Sequence, residues 1–312
     1  MAEKRIVMEK KIKNIHIIIN PAAGEPEAVL PIINTSMEES GIAWEAFITH
    51  QAGDGIKFAR AAVKAGVDAI AVYGGDGTLM EAISGLIGSE IPLAILPGGS
   101  ANVAATELGI PKDLKEACTL LGHGPLETKT IDVGQFDTRY FITGVSLGFG
   151  ADLVKGADRK TKNKFGILAY FLSAAAALKI TKKVTYHLNI DGQEYKLQGL
   201  ACIITNVGNL GFTKISLDKH IDISDGFLDV VVLRKVNFSL LKHIVVTLLK
   251  RERPHNLELV KHWHGKEISV SSTPQQTVQC DGEVIETIPL HITIIPGAIK
   301  VLVPKEKSKV IE

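Results

Sequence analysis

Apolar runs and polar breaks alternate regularly along the first part of the chain. Residues 15–19 form a β-branched run closing on Asn20-Pro21, which predicts a strand entering a turn. Residues 27–41 predict a helix stopped at Gly41, and residues 44–50 a second strand. Residues 55–66 carry helical spacing and end at Gly66. A third strand is predicted at 68–75, a helix at 78–89, a fourth strand at 91–99, and a helix at 101–110 halted before Pro111. Strand and helix alternating at this spacing form βαβ units, hence a parallel sheet covered by helices.

The pattern changes after about Ile131. Residues 184–206 read as two strands about an Asp191-Gly192 turn, a hairpin signal. Strands follow at 227–236, 267–272, 277–286 and 290–297, and helices are expected at 164–179 and 238–250. The second part is therefore mostly antiparallel β. These changes divide the chain into an α/β domain at 1–132, a β-rich domain at 133–298, and a charged tail at 299–312 free to pack back on the first domain.

A length of 312 residues exceeds what one core usually holds, which agrees with two domains. With 35 basic and 34 acidic residues the net charge is +1, so no overall footprint for nucleic acid is present. The three cysteines, Cys118, Cys202 and Cys280, lack CxxC spacing and read as buried thiols in a reducing compartment. The charged N-terminus does not read as a signal peptide. The apolar stretch at 165–180 is short for a membrane span and is interrupted by Ser173, so no transmembrane segment is expected.

Two segments carry candidate chemistry. Gly74-Gly75-Asp76-Gly77-Thr78 lies between a predicted strand and a predicted helix. Glycines there admit close approach by a ligand, and a helix start suits phosphate. Asp76 is suited to holding Mg²⁺ against phosphate oxygens or orienting a proton acceptor, and Thr78 to capping the helix. The same residues would also serve as a plain strand-to-helix turn. Residues 96–102 form a second strand-to-helix loop, with Ser100 as a natural N-cap. In parallel sheets ligands sit at the carboxyl ends of strands, so two such loops side by side would form one crevice.

The ordered set Asn20-Pro21-Ala22-Ala23-Gly24, the GGDGTLM run at 74–80, LPGGSANVAATELGIP at 96–111, IDVG at 131–134 and CDGE at 280–283 resembles the bacterial diacylglycerol kinase-like lipid kinases. That family includes soluble diacylglycerol kinases and YegS-type lipid kinases. The resemblance spans nearly the whole chain. It implies a Rossmann-like parallel α/β nucleotide domain followed by an antiparallel β-sandwich-like domain that takes the lipid, with the active site in the cleft between them. It further implies ATP as phosphate donor, Mg²⁺, and a lipid substrate met at the membrane surface by a cytoplasmic protein. Asn20, Thr49, Gly74, Gly75, Asp76, Gly77, Thr78, Leu79, Met80, Gly99, Ser100 and Asn102 would line the nucleotide site. Asp281 or Glu283 would serve the attacking hydroxyl, although Asp281-Gly282 is also a good hairpin turn. Asp225 by its side chain, and Asp222 and Phe227 by main-chain oxygens, would hold a structural Mg²⁺, and Asp132 is a further acidic position.

One departure stands out. Many diacylglycerol kinases carry Asp directly after the Asn of the second loop, where this chain has Val103. Many bacterial relatives and sphingosine-type kinases are apolar there too, so the acceptor need not be diacylglycerol itself. No Walker A or HExxH motif occurs, and no GxGxxG stands on the first βα turn. NAD kinases hold the nicotinamide ribose with an Asn-Glu pair, a dipeptide this chain lacks. An NAD kinase-type enzyme with a soluble acceptor and a catalytically silent nucleotide- or lipid-binding regulator are the competing readings. The basic run Lys155, Arg159, Lys160, Lys162 and Lys164 fits either a solvated face or contact with anionic headgroups. His262 and His264 could share a strand face, with no third metal ligand evident. An edge-strand homodimer is compatible with such a β domain.

Overall fold

The computed structural model describes residues 5–7, 12–24, 28–148, 183–208, 221–234, 260–281, 283–285 and 289–305. The helices expected at 164–179 and 238–250 and the basic run at 155–164 lie outside these residues. Two compact units emerge, Met1–Asp132 with Pro296–Glu312, and Val133–Ile295.

The first unit is α/β. In chain order it contains β1 (Arg5–Val7), β2 (Asn14–Ile19), α1 (Val29–Ser40), β3 (Ala43–Ile48), α2 (Asp54–Ala65), β4 (Ala69–Gly74), α3 (Asp76–Leu86), β5 (Leu93–Pro97), α4 (Val103–Glu107), α5 (Leu114–His123) and the start of β6 (Leu126–Phe136). Strands β3, β2, β4 and β5 lie side by side and parallel. Every residue of β4 and β5 is buried, as expected for parallel strands covered on both faces. Ile15, Ile17, Ala71, Tyr73 and Leu96 of the sheet pack against Ile33 and Met37 of α1 and Cys118 and Leu121 of α5. The alternate strand positions Ile18, Ile70 and Val72 are buried as well. Helices α1 and α2 end on Gly41 and Gly66 in the left-handed conformation. Helix α5 was not expected from the sequence. Asp113 caps it, accepting the Glu116 N–H at 2.9 Å.

The second unit is antiparallel. It continues with the end of β6, then β7 (Arg139–Phe141), β8 (Gly144–Gly148), β9 (Val184–Ile190), β10 (Gln193–Gly199), β11 (Ala201–Thr205), β12 (Leu228–Leu233), β13 (Val260–Gly265), β14 (Glu267–Thr273), β15 (Val278–Cys280), β16 (Glu283–Ile285) and the first part of β17 (Leu290–Pro304). One sheet runs β10-β9-β14-β17 and the other β13-β12-β11-β8-β15-β16. Leu147, Cys202, Ile204 and Val230 from one sheet meet Tyr186, Leu188, Ile268 and Ile292 from the other, giving a sandwich core. The buried Tyr186 donates its hydroxyl to the Leu147 carbonyl at 3.2 Å, joining the sheets. The β9–β10 turn forms at Asp191-Gly192, and Asp191 also accepts the N–H groups of Lys266 and Glu267, both at 2.9 Å.

One strand departs from the sequence expectation. Pro296-Gly297 reads as a terminator, yet β17 runs on to Pro304 and its last part pairs parallel with β5, Val301 facing Leu93. The Gly297 N–H donates to the Asp132 carboxylate at 2.7 Å, which secures the chain where φ is +61°. No helix among the described residues is long and apolar enough to cross a membrane.

Candidate active site

Four neighbouring parallel strands bring their carboxyl ends together in the first unit. β2 ends beside Asn20, β3 beside Thr49, β4 at Gly74 and β5 at Pro97. Asn20 is held from three sides. Its N–H donates to the Tyr73 carbonyl at 2.9 Å, its Oδ1 accepts from Ala22 at 2.9 Å, and its Nδ2 donates to Thr78 Oγ1 at 2.8 Å. The Thr49 N–H donates to Ile19 O at 2.9 Å.

The first glycine loop excludes a side chain at its first position. A Cβ on Gly74 would lie 2.7 Å from the Thr78 Cβ. Gly75, with extended backbone, is the N-cap of α3, and the helix opens at Asp76. Thr78 is therefore inside the first turn and receives the Asn20 amide, so it does not cap the helix. Gly77 is exposed, whereas Leu79 and Met80 are buried, and the Leu79 N–H is taken by Gly75 O at 3.0 Å.

The second loop touches the first. The Gly98 N–H donates to Gly74 O at 2.9 Å, and a Cβ on Gly99 would lie 2.6 Å from the Gly75 Cα. Asn102, not Ser100, is the N-cap of α4, with φ 47°. Its amide closes on Gly99 in both directions, accepting the Gly99 N–H at 2.9 Å and donating to Gly99 O at 2.7 Å. That clasp shortens the helix expected from Ala101. Ser100 stays exposed at the tip of the loop. Asp76 lies between the loops, where the backbone N–H groups of Ala104, Val103 and Asn102 favour the charged form of its carboxylate. Burial pushes the Asp76 carboxyl above the ordinary aspartate range, and these donors oppose the push. Gly74, Gly75, Asp76, Leu79 and Asn102 line a small pocket at this junction.

Two residues missed in the sequence shape the same end of the sheet. Glu81 of α3 accepts the N–H groups of Gly53 and Gly55, both at 2.9 Å, and so fixes the loop that follows Thr49. The Tyr73 ring lies against Gly98, where a Cβ would come within 2.8 Å of the ring. Neither role has a local signal, since the partners are far apart in the chain.

In the second unit β15 and β16 pair antiparallel, Cys280 facing Glu283. Asp281 has φ 44° and turns its carboxylate back onto the link between β7 and β8. Oδ2 accepts the Ile142 N–H at 3.1 Å. Oδ1 accepts the N–H groups of Thr143 and Gly144, both at 3.1 Å, and a close bond from the Thr143 hydroxyl. Burial pushes the Asp281 carboxyl upward, and these donors pull against it. Glu283 is exposed and, among the described residues, its carboxylate has no partner. The two carboxylates thus differ in what they are free to do.

The remaining acidic candidates sit in built turns. Asp222 Oδ1 accepts from the Ser224 N–H at 3.0 Å and from its hydroxyl at 2.7 Å, and Asp225 Oδ1 accepts the Phe227 N–H at 2.9 Å. The Asp222 carbonyl accepts the Asp225 N–H at 3.3 Å. The donor set is hard oxygen, which suits Mg²⁺. Asp132 is 2% exposed and holds Gly297. His262 Nε2 pairs with Asp229 at 2.5 Å, while Trp263 packs against Tyr195. Among the described residues no group of three or more His, Cys, Asp or Glu gathers as a metal cluster.

The family described as diacylglycerol kinase catalytic domain matches residues 14–136, and the YegS C-terminal NAD kinase beta sandwich-like domain matches residues 143–303. A Bacillus subtilis (strain 168) protein named diacylglycerol kinase is 27% identical over 305 residues, covering 96% of this chain and 99% of its own. A Staphylococcus carnosus (strain TM300) protein of the same name is 27% identical over 301 residues, covering 94% and 96%. The crystal structure of a diacylglycerol kinase from Bacillus anthracis str. Sterne superposes with a TM-score of 0.76 at 25% identity, covering 95% of this chain and 99% of that one.

Proposed function

The chain belongs to the diacylglycerol kinase-like lipid kinase family, and on that premise we propose that it transfers the γ-phosphate of ATP to the hydroxyl of a membrane lipid with Mg²⁺. The observation that carries this reading is the contact of Gly75 with Gly99, where any side chain on Gly99 would collide. Bare backbone at the carboxyl ends of adjacent parallel strands suits a polyphosphate, which needs N–H groups at close range.

In the proposed step the lipid hydroxyl oxygen bonds to Pγ, the bond from Pγ to the bridging oxygen breaks, and ADP leaves. The hydroxyl proton passes to a carboxylate. Glu283 is assigned that role because it is exposed and, among the described residues, unpartnered, whereas both oxygens of Asp281 are occupied by donors. The backbone at Gly74 to Thr78 and at Gly99 to Asn102 orients the phosphates, and Asp76 would hold Mg²⁺ beside them. Asn20 and Thr49 frame the same end of the sheet. Mg²⁺, when bound, neutralises charge on the phosphoryl oxygens. A second, structural Mg²⁺ is assigned to the Asp225 side chain with the Asp222 and Phe227 carbonyls.

The test is transfer of labelled γ-phosphate to diacylglycerol, monoacylglycerol, phosphatidylglycerol, sphingosine and ceramide in mixed micelles, with NAD as a soluble control. A Mg²⁺-dependent labelled lipid supports the reading and names the acceptor. Label in NAD instead would move the enzyme to a soluble acceptor, and ATP binding without transfer would favour a regulator.

A further inference from the structure

We propose that Thr143 is a positioning residue for the transfer step, its hydroxyl holding Asp281 so that the β15–β16 turn presents Glu283 at a fixed place. The inference rests on Glu283 as proton acceptor. Among the described residues, strand β16 closes its sheet and pairs only with β15, which also pairs with β8, and β15 and β16 are three residues long. Ladder bonds alone give little purchase on so short a hairpin. What ties it down is Asp281, which takes donors from Ile142, Thr143 and Gly144 and returns its own N–H to Gly144 O at 3.1 Å.

Thr143 is also fixed from the other side. Its carbonyl accepts the Asn206 N–H at 3.0 Å and the Thr205 hydroxyl at 2.9 Å, at the end of β11. A continuous set of bonds therefore runs from β11 through Thr143 to Asp281 and on to Glu283, two residues later. The backbone donors survive any substitution at 143. The Thr143 hydroxyl is the one side-chain donor to Asp281 and the part a substitution at 143 can remove.

The experiment compares Thr143→Val, Thr143→Ala and Thr143→Ser with the full-length wild-type chain in lipid phosphorylation, alongside Glu283→Gln. Valine keeps the shape and alanine avoids crowding, so a packing fault in one variant does not decide the outcome. We expect kcat to fall roughly tenfold to a hundredfold in both hydroxyl-free variants, the scale of a misplaced reacting group. The KM for ATP should stay unchanged and serine should restore kcat. Wild-type kcat in both hydroxyl-free variants, with Glu283→Gln inactive, overturns the positioning role alone. An equal loss in the serine variant, or a loss accompanied by a raised KM for ATP, also overturns it. Full activity in Glu283→Gln removes the premise itself.

Discussion

The carboxylate of Asp76, at the first turn of α3, is stabilised in its charged form by the backbone N–H of Ala104 at the first turn of α4. An acidic side chain at a helix start offsets the unpaired N–H groups there, and this one reaches across from a neighbouring helix. The Gly98 N–H bond to Gly74 O joins the two glycine loops at the same place. Asp76→Ala should change unfolding stability by less than about 1–2 kcal/mol, because relief of the buried charge offsets the loss of an acceptor. It should also abolish tight ATP binding. Asp76→Asn keeps an acceptor oxygen and should retain more of the stability than of the turnover. Urea unfolding together with ATP titration checks both.

Gly99→Ala places a Cβ 2.6 Å from the Gly75 Cα, against backbone that cannot swing aside. Separating the loops should cost about 1–3 kcal/mol and raise the KM for ATP more than the KM for lipid. Steady-state kinetics in each substrate distinguishes this from a general loss of folding, which would depress active enzyme without splitting the constants.

Glu81→Ala releases the Gly53 and Gly55 N–H groups at the start of α2. The loop after Thr49 then loses its anchor. The expected result is a loss of about 1–2 kcal/mol with a raised KM for ATP, and a smaller effect for Glu81→Gln. Unchanged kinetics would separate that loop from the nucleotide site.

Burial pushes the Cys118 and Cys202 thiols up to about 12. The thiolate is the reactive form, so at pH 8 both should resist a disulfide exchange reagent in the folded protein. Desolvation of the thiolate comes first among the causes at both sites, and Asp113 adds to it at Cys118. Denaturation should expose all three cysteines at once, read as a step in thionitrobenzoate release.

Much of the fold could be read from local pattern. Continuous apolar runs such as residues 69–74 mark parallel strands covered on both faces, and Asp191-Gly192 marks a hairpin. Element ends were harder. Ser100 looks like the better N-cap, but the Asn102 clasp on Gly99 sets the start of α4 instead. Pro296-Gly297 looks like a stop, but Asp132, 165 residues earlier, supplies the acceptor that lets β17 continue. The same limit applies at the candidate site. The glycine loops announce themselves, whereas the bond of Thr143 to Asp281 joins residues 138 apart and has no local signature. Asp281 and Glu283 look equivalent as letters, and only the donors around Asp281 tell them apart.

The most direct measurement is labelled γ-phosphate transfer from ATP to lipid by wild type, Glu283→Gln and Asp281→Asn at matched protein concentration with Mg²⁺. A general base typically contributes a factor of about 10²–10⁴, so Glu283→Gln should lose at least the lower figure in kcat while binding ATP normally. Asp281→Asn should lose stability as well as rate, because its amide would face the donors of residues 142–144. Lipid phosphorylation at the wild-type rate by Glu283→Gln would contradict the assignment of Glu283. Absence of any labelled lipid from the wild-type enzyme would contradict the lipid kinase reading.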